Sequence, residues 1–290
     1  MKQFGIGQPI RRVEDRRFLT GHGRYLDDIA RPRQAYAVML RSPHAHARIR
    51  ALDIAPAAGA SGVLAVFTGA DLAQAGIGTI PCMTGLINRD QSPIAMPPRP
   101  ALVRDRVRHV GDTVAMVVAE TVAEARDAAE RIAVEYEPLP AVVDTAGALD
   151  PGQPAVWDEH PGNLCFDWEV GDEAAVRRAA AAARHRVSLT LVNNRVVANS
   201  MEPRGAIGEY DPGEDSYTLW SSTQGSHFIR NLLAEHVFHI PENRIRVVTP
   251  DVGGGFGMKL FLYPEHVLAL WAAKQLGRRS NGSPTVRNPS

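Results

Sequence analysis

The sequence predicts an α+β protein in two parts, and three features carry that reading. Short β-rich runs ended by turn residues outnumber the helical patterns and do not alternate strictly with them. Two helix starts are marked by polar caps, Thr121 and Asp172. Between an alternating apolar run, residues 244–249, and a helical pattern, residues 264–276, lies Asp251-Val-Gly-Gly-Gly-Phe-Gly-Met-Lys259. The rest of the chain is organised around that stretch.

In chain order, residues 1–24 form a basic, glycine-containing extension that reads as an extended surface segment. Residues 25–140 form the first domain. Residues 35–42 and 62–69 are β-rich runs, and 112–120 is a continuous apolar run suited to a strand buried on both faces. Thr121 and Glu124 make a capping box for a helix over 122–132, whose stripe is Val122, Ala125, Ala129 and Ile132. The strand that follows ends at Pro138 and Pro140. Residues 76–105, with five prolines, predict a long loop draped over a surface. Residues 141–162 are a Pro/Gly-rich linker.

The second domain spans 163–278. Asp172 caps an alanine-rich helix over 173–184. Strands are expected at 186–192, 196–198, 205–210 and 217–221, then a helix over 225–238. The last helix opens with Pro264 and Glu265, with Gly277 expected as its C-terminal cap.

The bulk numbers exclude several classes. Thirty-two basic residues balance 32 acidic ones, so neither nucleic acid nor an anionic membrane surface is indicated. Cys82 and Cys165 are far apart, which argues against an iron–sulfur cluster, a zinc site or a disulfide scaffold built by this chain. No apolar signal segment or membrane-length run occurs, so a cytoplasmic location is expected. His44 and His46 alternate on a strand but have no further ligand beside them. His236 and His239 fall in the last turn of a helix, where imidazolium suits the negative end. No direct protein ligand to a metal is expected.

The glycine stretch fails two familiar tests. A P-loop needs Ser or Thr after its lysine, and Leu260 follows Lys259. A dinucleotide fingerprint needs a third glycine where Met258 stands. Alone, the triplet reads better as a bulged turn with no ligand, and Asp251 as a turn acid. Consecutive glycines nevertheless let backbone N–H groups approach an anionic or oxo group closely.

The surrounding motifs add to this. "GRYLDDI" at 23–29, "MEPRGAIGEYD" at 201–211, "STQGSHFIR" at 222–230 and "DVGGGFGMK" at 251–259 occur in family order. Together they resemble the molybdopterin-binding large subunit of the molybdenum hydroxylases: xanthine dehydrogenase, aldehyde oxidase and aerobic carbon monoxide dehydrogenase. "GFGMKLFLYPE" is most similar to the carbon monoxide dehydrogenase-like branch. The resemblance implies an α/β hammerhead domain followed by the first part of a molybdopterin-binding domain. It implies molybdenum on a pterin, as a cytosine dinucleotide, acting on a small-molecule substrate, with an iron–sulfur small subunit and an FAD medium subunit as partners. Gln224 matches the glutamine beside the metal's oxo ligand, and Gly254, Gly255, Phe256 and Gly257 match the cofactor-binding loop. Leu260 stands where xanthine dehydrogenase-like members carry an acid, which weakens a purine reading. No residue matches the catalytic carboxylate. The expectation is therefore an N-terminal fragment, inactive alone and without firm hold on a cofactor. The alternative is a non-catalytic subunit-docking module.

Residues 279–290 read as a disordered tail rich in Ser, Asn and Pro. With suitable codons and one added C, Arg279–Asn288 reads Pro-Val-Lys-Trp-Phe-Ala-Asp-Arg-Ser-Glu, which is similar to the family's continuation. A one-nucleotide deletion near codon 279 is the expectation. Resequencing checks it, because the shifted frame must then encode further family sequence.

Overall fold

The computed structural model describes residues 7–194, 196–279 and 285–288. A seven-stranded sheet and a three-stranded sheet hold the chain together. The strands are β1 (Gln34–Arg41), β2 (Ala47–Asp53), β3 (Val63–Thr68), β4 (Arg106–Val107), β5 (Thr113–Ala119), β6 (Ala133–Pro138), β7 (Ala206–Asp211), β8 (Ser216–Ser221), β9 (Ile245–Val248) and β10 (Thr285–Asn288). The large sheet runs β3-β5-β1-β10-β7-β8-β9, and the small one β4-β2-β6. The helices are α1 (Asp15–Leu19), α2 (Ala55–Ala58), α3 (Gly69–Gln74), α4 (Val122–Ala129), α5 (Glu173–Ala182), α6 (Ser226–Leu232) and α7 (Pro264–Arg279).

The continuous apolar run becomes β5, buried along its whole length. Its residues alternate between two cores, as side chains on a strand must. Met116 and Val118 join the large core with Trp271 of α7. Ala115, Val117 and Ala119 face Ala125, Ala128 and Ala129 of α4. The cap of α4 forms as expected, with the Glu124 N–H donating to Thr121 Oγ1 at 3.2 Å. Asp172 caps α5 through the Ala175 N–H at 2.8 Å.

The strands of the expected first domain and the later strands share one sheet and one core, so no break in packing separates them. Their link is β10, parallel to β1 and antiparallel to β7. At Thr285–Asn288 that departs from the expected disordered tail, being a central strand with Val286 fully buried; residues 280–284 and 289–290 of that tail lie outside the described residues. Helix α7 also departs from expectation, running through Gly277 to Arg279. Helix α6 passes into a π-helical turn at Leu233–Phe238. His239 closes that turn in the left-handed region, at φ 53°.

The strands expected at 186–192 and 196–198 do not form. Val187, Leu189 and Leu191 are exposed there, and among the described residues no strand lies beside them. A period-2 pattern names a face but cannot supply the neighbour that pairs its backbone. The loop over 76–105 is held by main-chain bonds to residues 165–167. The Arg89 N–H donates to the Asp167 carbonyl at 2.6 Å and the Ala95 N–H to Cys165 at 2.9 Å. No helix among the described residues is long and apolar enough to cross a membrane.

Candidate functional site

The glycine stretch leaves β9 and turns before α7, crossing the start of α6. Gly254 has φ 99°, Gly257 φ 84° and Phe256 φ 51°. The loop thus takes three left-handed residues in four positions, and only Phe256 does so with a side chain, at a cost of about 1–3 kcal/mol. That side chain stays 76% exposed.

Gln224 lies across this loop. Its backbone N–H donates to the Lys259 carbonyl at 2.9 Å. Its side-chain Oε1 accepts two N–H groups, Gly257 at 3.0 Å and Lys259 at 3.2 Å. Two donors on Oε1 fix the amide orientation and leave Nε2 with no acceptor among the described residues. Gly255 must be a glycine for this contact, because a Cβ would lie 2.6 Å from Gln224 Cδ. The N–H groups of Gly254, Gly255 and Phe256 have no acceptor among the described residues either. The Gly257 N–H is already committed to Gln224 and orients that side chain rather than a ligand. The site therefore presents an amide NH2 beside three successive main-chain donors. Such an arrangement suits oxo, phosphate or carbonyl oxygens.

Two residues beneath the loop escaped the sequence reading. Lys259 is fully buried, and its Nζ donates to Glu202 Oε2 at 2.9 Å. The same oxygen accepts the Gly253 N–H at 2.7 Å. Glu202 Oε1 accepts the Leu26 N–H at 3.3 Å. Both residues stand inside quoted motifs, but 57 positions separate them and neither motif names the other.

Asp251, read from sequence as a turn acid, pairs with Arg17, whose Nη2 donates to Oδ1 at 2.6 Å. Arg24 N–H donates to its Oδ2 at 2.7 Å. The Arg17 hydrogen bond, then the Arg24 N–H, holds the Asp251 carboxyl below the usual carboxylate range.

Behind the loop, His266 is buried in α7. Its Nδ1 accepts the Tyr263 N–H at 3.4 Å, which leaves Nε2 to donate to Ser221 Oγ at 3.0 Å. Burial pushes its pKa from near 6.5 down to about 4. Below pH 6.5 the unfolded chain takes up a proton that the folded chain refuses until about pH 4. Stability therefore falls as pH drops through that window, by about 3 kcal/mol in total. Urea unfolding of parent and His266→Gln at pH 7.5 and 4.5 checks this. The parent is expected to lose more on acidification than the variant, and equal losses would refute the assignment.

The other candidates stay structural. His44 packs on Tyr136 at 4.8 Å between ring centres. His46 Nδ1 lies 2.7 Å from the Pro140 carbonyl. His239 Nδ1 lies 2.9 Å from the Glu235 carbonyl, at the helix end as expected. Cys82 and Cys165 are free. Among the described residues no group of three or more His, Cys, Asp or Glu could hold a metal ion.

Known proteins match this chain along most of its length. Residues 20–140 match the model of the aldehyde oxidase and xanthine dehydrogenase a/b hammerhead domain. Residues 156–281 match that of the molybdopterin cofactor-binding domain. The nicotine 6-hydroxylase large subunit of Paenarthrobacter nicotinovorans is 38% identical over 93% of this chain and 32% of its own length. The carbon monoxide dehydrogenase large chain of Afipia carboxidovorans is 33% identical over 95% of this chain and 34% of its own. The crystal structure of quinoline 2-oxidoreductase from Pseudomonas putida 86 superposes with a TM-score of 0.84 at 37% identity, over 97% of this chain and 34% of that one. The chain spans about a third of the length of the curated relatives it matches.

Proposed function

We propose that this chain, which matches the hammerhead and molybdopterin cofactor-binding domain models of the molybdenum hydroxylase family, forms the first third of an oxidoreductase large subunit of that family. In this reading Gln224 and the loop at Gly254, Gly255, Phe256 and Gly257 make one wall of the cofactor site. The observation that carries it is the set of three adjacent main-chain donors beside the fixed Gln224 amide.

The residues present fit a pterin-bound molybdenum centre. A Cβ at Gly255 would fill the cradle, and the donor set is neutral and fixed before any ligand arrives. When bound, that group supplies the redox chemistry, with water providing the oxygen that enters the substrate. Gln224 Nε2 would donate to an oxo ligand, and the N–H groups of Gly254, Gly255 and Phe256 to oxygens of the cofactor. No residue of this chain is assigned as general base, so proton removal falls to a carboxylate outside it. On this reading the pterin carries a cytosine dinucleotide, and electrons leave through iron–sulfur and FAD subunits. Of the three relatives named above, the two with the higher identities are named for N-heteroaromatic compounds. An N-heteroaromatic substrate is accordingly favoured over carbon monoxide.

The test compares the 290-residue chain with one completed to its relatives' length, both co-produced with partner subunits. The completed chain is expected to carry molybdenum and pterin and to oxidise N-heteroaromatic substrates. The short chain is expected to turn over nothing with an artificial electron acceptor. A completed chain that binds partners but holds no molybdenum would instead support the docking-module reading.

A further inference from the structure

We infer that the N-terminal segment around residues 17–26 is a brace for the glycine loop, and that Glu202, through buried Lys259, is the positioning residue that transmits it to Gln224. This rests on the cofactor-wall reading only for its purpose, since the brace itself is defined by contacts within the chain.

Two carboxylates join three separate parts of the sequence. At the entrance of the loop, Asp251 and Arg24 exchange hydrogen bonds. The Arg24 N–H donates to Asp251 Oδ2 at 2.7 Å, and the Asp251 N–H donates to the Arg24 carbonyl at 3.0 Å. Arg17 closes on the same carboxylate from α1. Two residues on, Glu202 takes over. Its oxygens accept Leu26 N–H from the brace, and Gly253 N–H and Lys259 Nζ from the loop. The Glu202 N–H donates to the Gly253 carbonyl at 3.2 Å, so Glu202 and Gly253 also bond reciprocally. A Cβ on Gly253 would sit 2.5 Å from Glu202 Cβ, so this glycine exists to let the carboxylate lie flat against the loop.

Lys259 carries the restraint onward. Its Nζ is held by Glu202, its N–H donates to Gln224 Oε1, and its carbonyl accepts Gln224 N–H and Thr223 Oγ1 at 2.9 Å each. An ammonium with no exposed surface and one carboxylate partner is stranded if that partner loses its charge. It must then move, and its backbone, which fixes Gln224, moves with it. The brace thus reaches the Gln224 amide through Leu26, Glu202 and Lys259 without touching it.

The experiment reads amide hydrogen exchange on the 290-residue chain, labelled with 15N-glycine, with no cofactor present. Gly253 and Gly257 are the reporters, and Gly208 of β7 is the control for global folding. In the parent, Gly253 and Gly257 are expected to exchange at least tenfold slower than Gly254 and Gly255. Glu202→Gln is expected to raise exchange at both reporters by tenfold or more while Gly208 is unchanged. Adding Lys259→Met to Glu202→Gln removes the stranded cation and is expected to recover part of the protection at Gly257. A purely local role for Glu202 would instead leave Gly257 unmoved and make the double variant worse than the single. If Glu202→Gln exposes Gly208 as well, Arg17→Gln on the exposed side decides. It is expected to speed Gly253 several-fold with Gly208 unchanged. Parent-like exchange at Gly253 in Arg17→Gln, or at Gly257 in Glu202→Gln, would overturn the inference. Because no cofactor is present, failure here leaves the cofactor-wall reading standing, and failure to retain molybdenum leaves the brace standing.

Discussion

Gly208→Leu is expected to abolish cooperative folding of the chain. Gly208 sits mid-strand in β7, opposite Val286 of β10 on one side and Leu219 of β8 on the other. Its missing side chain is the space that α7 occupies. A Cβ there would lie 2.6 Å from the Leu270 nitrogen and against the Ala269 carbonyl, which are backbone atoms of the helix. A side-chain neighbour could rotate away, but a helix backbone can only translate. Translation would lift Val267, Leu268, Leu270, Trp271 and Ala272, all buried, from the core. Overpacking alone costs about 1–3 kcal/mol, and separating so large an apolar face costs several more. Against a total stability of about 5–15 kcal/mol, leucine exceeds what the fold tolerates. Gly208→Ala is the graded version, expected to lose about 3 kcal/mol in urea unfolding. An alanine variant within ~0.5 kcal/mol of the parent would mean that α7 does not approach the sheet this closely.

What could be read from the sequence tracks how local the deciding physics is. Strand β5 was legible because burial on both faces leaves an unbroken apolar run that no solvent-facing period interrupts. Helix α4 was legible from Thr121 and Glu124, whose bond spans three residues. Strand β2 was missed. Its register with β6 shifts between Ile49 and Ala51, so its apolar positions change face midway and no clean alternation survives. The tail misled for a different reason. Val286 is its only aliphatic residue, and β10 takes its neighbours from β1 and β7, far away in sequence. At the candidate site, Gln224 and the glycines could be named from motifs, but what holds them could not. Glu202 and Lys259, and Arg17 and Asp251, meet only because the sheet brings their segments together. Charge and spacing along the chain carry no sign of such long-range pairs.

In a chain completed to its relatives' length, Gly255→Val and Gln224→Ala are expected to fail in different ways, and the difference is what tests the site. Valine at 255 would drive its Cβ to 2.6 Å from Gln224 Cδ and Oε1. The glutamine must then leave the Gly257 and Lys259 N–H groups, and the loop donors turn away together. Molybdenum and pterin content are therefore expected to fall to a small fraction of the parent's, with turnover lost in proportion. Gln224→Ala removes the same amide without pushing on the loop. Gly257 N–H and Lys259 N–H lose their acceptor, which water can replace at the exposed Gly257 but not at the buried Lys259. Cofactor content is expected to stay near the parent's while turnover per molybdenum falls on the order of a hundredfold, the loss typical of one prearranged donor. Metal analysis, pterin fluorescence after oxidation and kcat per molybdenum separate the two outcomes. If Gln224→Ala also loses the metal, the side chain retains the cofactor rather than donating to it. If Gly255→Val keeps both metal and rate, the loop is not the cofactor wall.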